Sequence, residues 1–96
     1  MPVREGALLH LPGGDIAEAG IRDLEYGVES IEALLVASFA DRLRRCGLDV
    51  PAVEVPEPEH RLYHLIAAAD PDAAHSRYNA LVRRLVAFAR ALECER

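Results

Sequence analysis

Residues 15–46, DIAEAGIRDLEYGVESIEALLVASFADRLRRC, decide the fold class of this chain. Ile21, Leu24, Val28, Ile31 and Leu35 recur at alternating steps of three and four, and Leu34, Phe39 and Leu43 widen the stripe. Side chains at those steps share one face of an α-helix, whereas a strand would alternate its faces every second residue, so the spacing predicts a helical seam. Asp15 is placed to cap the start, and Glu18 three residues on has the spacing of a capping box. Arg42, Arg44 and Arg45 put positive charge beside the last carbonyls. Gly47 can adopt the left-handed conformation that closes a helix, with Leu48 behind it. An unbroken helix over 15–46 would be ~48 Å long at 1.5 Å per residue. Gly20 and Gly27 each cost ~1 kcal/mol relative to Ala, so a bend or break near either stays open.

Upstream, residues 1–14 read as a lead-in, with Ala7 to Leu11 as a short extended piece broken by Pro12-Gly13-Gly14. Downstream, LDVPAVEVPEP at 48–58 holds three prolines and alternates apolar with acidic residues. It reads as an extended connector crossing the bundle, with Val53 and Val55 against it. Pro58 suits the first turn of a second helix, expected over 58–69 with Leu62, Leu65, Ile66 and Ala69 on one face. Asp70-Pro71 interrupts it and opens a third helix, expected over 71–93, whose apolar residues Tyr78, Leu81, Leu85, Phe88 and Leu92 again step by three and four. Residues 15–96 thus form a single all-α domain: two long antiparallel helices with a shorter one packed across them.

Ninety-six residues with 51% hydrophobic and 28% charged content make an ordinary folded domain with a thin core. Each long helix carries more apolar surface than a three-helix monomer easily covers, so a homodimer completing a four-helix-like core is the expected state. A net charge of −5 argues against a general nucleic-acid binder, which needs a basic surface to displace counterions. No apolar run approaches the ~20 residues of a membrane span. No leader pattern marks the first residues, and Cys46 and Cys94 read as free thiols, so a cytoplasmic location is expected.

The residue inventory excludes several chemistries. The chain has no Lys, Thr, Gln or Trp, which removes Schiff-base chemistry, a Walker-type phosphate loop and an N-terminal threonine nucleophile. Ser30, Ser38 and Ser76 fall in predicted helices, outside any nucleophile-elbow context. Two histidine arrangements remain. His60 and His64 lie ~40° apart on a helical wheel, away from the apolar face, and with Glu57 they would make a two-histidine, one-carboxylate metal set. The plainer alternative is two exposed histidines in a polar patch, since His-x3-His lacks the catalytic Glu of the His-Glu-x2-His motif.

The second arrangement is His75-Ser76-Arg77, which resembles the His-x-Lys/Arg core of histidine phosphotransfer domains over those three residues. The resemblance implies phosphorylation of His75. Those domains follow the basic residue with Gly, whereas Tyr78 occupies that place here and little more than one helix follows.

The acidic row Glu18, Glu25, Glu29 and Glu32 borders the first seam, and Arg77 and Arg84 border the third helix on one side, Arg83 and Arg90 on the other. Such flanks set register and partner choice within or between chains. The sequence therefore predicts a non-enzymatic interaction or accessory protein. Its partner would be itself or another protein, with no cofactor required. Its seams Ile21, Leu24, Val28, Ile31, Leu35 and Tyr78, Leu81, Leu85, Phe88, Leu92 would form the interface. Glu18, Glu25, Glu32, Arg77 and Arg84 would act as its charged flanks. A small metal-binding or phosphotransfer module is the competing expectation.

Overall fold

The computed structural model of the chain describes residues 6–95 and contains, among them, helices and turns without a strand. In chain order these are α1 (Gly14–Glu25), α2 (Ile31–Ser38), α3 (Ala40–Arg45), α4 (Pro58–Ala69) and α5 (Ala74–Glu95). The all-α class is as expected, but the single helix over 15–46 is not: that span divides into α1, α2 and α3, and only α5 is long.

The first break is chemical as well as geometric. Gly27 takes a φ of 70°, open to glycine at little cost. Its N–H donates to the Leu24 carbonyl at 3.2 Å while Val28 N–H donates to the Asp23 carbonyl at 2.8 Å. This pair of bonds is a Schellman closure, and it satisfies the last carbonyls of α1. Ser30 then starts α2, its Oγ accepting from Ala33 N–H at 3.1 Å and donating to Asp23 Oδ2 at 2.6 Å. The same closure recurs after α3, where Gly47 N–H meets the Arg44 carbonyl at 2.9 Å and Leu48 N–H the Leu43 carbonyl at 3.0 Å. Val28, placed in the first seam by its spacing, therefore lies in a connection and is 50% exposed.

Helix α2 occupies the centre. Ala33, Leu34, Leu35 and Val36 are all buried, four consecutive residues pointing around the whole helix circumference. A helix apolar on every side needs neighbours on every side, and α1, α4 and α5 all pack against it. Ile21 and Leu24 of α1, Leu62 and Ile66 of α4, and Leu85 and Phe88 of α5 complete the core. Ile31, Tyr78, Leu81 and Leu92 are partly buried against it. The radius of gyration, 12.7 Å, matches the ~13 Å expected for one domain near this length.

The lead-in joins this core instead of running beside it. Residues 6–13 are a chain of turns, not an extended piece, with Leu11 N–H on the Leu8 carbonyl at 3.1 Å and Leu8 itself buried. The expected capping box gives way to a different clamp. Gly13, not Asp15, is the N-cap of α1, and the Glu18 carboxylate is buried, accepting from the backbone N–H groups of Gly6 and Leu8. Glu18 was expected as a solvent-facing flank; its burial is tolerable because both carboxylate oxygens have donors.

The arginine-rich flank also behaves differently from the expected pairing of the two seams. Arg84 reaches Asp15 Oδ1 at 2.8 Å, tying α5 to the start of α1, and Arg42 meets Glu93 Oε1 at 3.1 Å, tying α3 to the end of α5. Glu25 and Arg77 are exposed, and Glu32 is half-buried. The proline-rich connector at 48–57 holds no regular element, with Val50 buried and Val55 packed on the core, whereas Val53, expected against the bundle, is 45% exposed. The Arg44 guanidinium holds its start by donating to the Val50 and Pro51 carbonyls at 3.2 and 3.0 Å.

Helices α1 and α2 cross at Gly20. A Cβ at that position would stand 2.4 Å from Val36 Cγ2 and 2.5 Å from the Glu32 carbonyl oxygen. Gly20→Ala should therefore destabilise the fold by about 1–3 kcal/mol through overpacking, against the ~1 kcal/mol that Ala adds as a helix former. Chemical denaturation checks this; a midpoint equal to or above the wild type contradicts the tight crossing.

Candidate functional site

The most distinctive surface lies where α4 crosses the α1–α2 connection. Glu57 begins α4 in the left-handed region, with a φ of 47°, and Pro58 follows at the first helical position. Burial of Leu62 and Ile66 turns Arg61, His64, Leu65 and Ala68 outward on one face. Leu65, expected on the buried face, is 39% exposed. Tyr63 is turned towards α5, its ring edge-on to Tyr78 at 5.7 Å between centroids.

Arg61 grips Glu29 across this crossing. Its Nε donates to Oε1 at 2.5 Å and its Nη2 to Oε2 at 2.6 Å, the parallel two-bond geometry that a planar guanidinium makes with a carboxylate. Glu29 sits immediately before the Ser30 cap, so the pair pins α4 to the point where α2 begins. On one side of the pair, a groove of about 170 Å³ runs among Val28, Ala33, Leu34, Val53, Val55 and Pro56. On the other side Arg61, Glu29, His64, Leu65 and Ala68 line a shallower depression. The exposed apolar side chains Val28, Val53 and Leu65 thus flank one ion pair. Tyr26, beside Gly27, is 78% exposed.

Of the residues proposed to bind metal, His60 and His64 come together. Their Nε2 atoms are 3.0 Å apart and their rings are edge-on, with centroids at 4.4 Å. Glu57 does not complete the set: among the described residues no group of three or more His, Cys, Asp or Glu side chains is placed to hold a metal ion. The left-handed turn at Glu57 starts α4 from outside the helix, so the 57–60 spacing is not a helical one. His75 lies exposed in the first turn of α5 beside exposed Ser76 and Arg77, while Tyr78 is partly buried against the core. Cys46 is buried and Cys94 exposed, both free. No helix is long and apolar enough to cross a membrane among the described residues.

Spacing alone had no means of finding the Arg61–Glu29 pair, whose partners are 32 residues apart. The signal that was available is local: Gly27-Val28 followed by Ser30 is a helix stop and a helix start in four residues, which exposes Val28 and sets Glu29 at a helix N-terminus. Compared with protein families, with curated proteins and with solved structures, the chain matches none.

Among the described residues, three carboxyls titrate below their ordinary values. The Arg61 hydrogen bonds lower Glu29, and the Arg42 hydrogen bond lowers Glu93. For Asp15, partial desolvation opposes ionisation, but the hydrogen bond and charge of Arg84, with backbone N–H donors, outweigh it. A carboxyl lowered in the folded state contributes stability that is present above its unfolded pKa, about 4, and lost as pH falls through the folded value. The thermal midpoint should therefore hold level from about pH 8 to 5.5 and decline below about pH 4. The combined variant D15N/E29Q/E93Q should decline less steeply; parallel curves for the two proteins would show that these pairs do not govern acid sensitivity.

Proposed function

We propose that this chain is a non-enzymatic interaction protein that pairs with a second copy of itself through the face made by α4 and the α1–α2 connection. The observation that carries this is the placement of Val28, Val53 and Leu65, each 39% to 50% exposed, around the Arg61–Glu29 pair. Apolar side chains gathered at a surface mark an association site more often than a bare one, whereas singly scattered ones need no explanation.

A second copy suits the face because the charges on it are self-complementary. A two-fold axis presents the same patch to itself, so every contact occurs twice with the roles exchanged. Side by side, Arg61 and Glu29 of one copy can meet Glu29 and Arg61 of the other, within a ring of apolar contact. The surface differs from the one expected along the two seams, because those seams are spent on the internal core: Ile21, Leu35, Leu85 and Phe88 are all but inaccessible. Cytoplasmic residence belongs to the same reading, supported by Cys46 and Cys94 being free thiols, the state a reducing compartment maintains.

Sedimentation equilibrium over a concentration series tests the pairing. Dimers are expected in the micromolar range, and Val28→Glu and Leu65→Glu, both at exposed positions, should each weaken association about tenfold or more while leaving the helical spectrum intact. Arg61→Glu should weaken it too, with recovery in the double variant E29R/R61E. A wild-type chain that stays monomeric at about 100 μM, well above an ordinary dimer constant, overturns the proposal.

A further inference from the structure

The two histidines of α4 offer a capability beyond this pairing, and His64 also lines the depression beside the Arg61–Glu29 pair. We propose that His60 and His64 chelate a divalent copper or nickel ion through their Nε2 atoms. Both side chains are exposed in the single chain, so a hydrated ion reaches them without opening the fold. Both ring edges converge: of the possible approaches, it is the two Nε2 atoms that lie 3.0 Å apart. In the metal-free chain, that distance is one Nε2–H···Nε2 hydrogen bond; in the loaded chain, each ring ligates as a neutral imidazole with its proton on Nδ1.

The 3.0 Å spacing is that of the hydrogen bond the metal replaces, so the choice of metal follows from intrinsic affinity: imidazole donors suit copper(II) and nickel(II), and copper leads the order. A helix carries the pair, which holds the two Cβ atoms at a fixed spacing and reduces the ordering cost of chelation. Two protein ligands leave the remaining positions to water, consistent with the absence of a third His, Cys, Asp or Glu around them among the described residues.

Titration calorimetry of the untagged chain with copper(II), nickel(II) and zinc(II) salts, each alone in mildly alkaline buffer, tests the site, with electron paramagnetic resonance of the copper-loaded protein counting coordinated nitrogens. One equivalent of copper bound through two imidazole nitrogens is expected, with copper tighter than zinc. H60A and H64A should each lower copper affinity about tenfold or more. H75A, on α5, should bind as the wild type does, and so should the pairing variant V28E, which separates failure of chelation from failure of dimerisation. Both single histidine variants lie at exposed helix positions, where Ala favours the helix, and circular dichroism confirms the fold. Affinities of H60A and H64A within about twofold of wild type, or zinc bound more tightly than copper, would overturn the proposal.

Discussion

The rest of the structure depends on how closely α1 and α2 approach at Gly20. Without a side chain there, the Glu32 carbonyl and Val36 Cγ2 come within 2.5 Å of where a Cβ would stand, so the two helices pack backbone against backbone. That approach places α2 deep enough for Ala33, Leu34, Leu35 and Val36 to be covered on all sides. The helices α4 and α5 then have a single apolar axis to pack against. A glycine in mid-helix is costly as propensity, and here the cost is offset by the core that the crossing creates.

The crossing requires the chain to fold back after α1, and that reversal generates the surface features too. Gly27 ends α1, Ser30 starts α2, and the residues between them, Val28 and Glu29, are left outside the core with their side chains facing α4. Arg61 closes on Glu29 from α4. Partly exposed, such a pair contributes little to global stability, but its two-bond geometry orients both partners. The outcome is an ion pair set in an apolar surround, the feature on which the proposed pairing of two copies rests. On the same helix, His60 and His64 bring their Nε2 atoms to 3.0 Å from each other, the arrangement on which the proposed chelation rests.

How much of this was legible varies along the chain, and the differences have local causes. Helix α4 matches the expected 58–69 because Pro58 and Asp70 are strong boundaries acting through adjacent backbone. Helix α5 begins at Ala74 and not at Pro71, because the Asp70 carboxylate accepts from Ala73 N–H at 3.3 Å and holds residues 71–73 in a turn. The expected helix over 15–46 fails at Gly27 because apolar steps of three and four continue through the break: Leu24, Val28 and Ile31 keep helical spacing although the middle one has left the helix. Periodicity registers which residues are apolar, not whether the backbone between them is continuous. In the candidate site, the His60–His64 approach follows from the i, i+4 spacing alone, whereas Arg61 and Glu29 are brought together only by the packing of separate helices.

By itself, the sequence determined the helical class, the extent of α4, the Gly47 closure and the proximity of the two histidines. Each of these rests on hydrogen bonds and steric limits between residues a few positions apart. Only the tertiary structure decided that α2 is central, that Glu18 is a buried clamp and not a flank, that the seams are consumed internally, and that Arg61 meets Glu29 on an exposed apolar face. Those outcomes rest on which distant surfaces exclude water together, and on a helix crossing whose closeness one missing side chain permits.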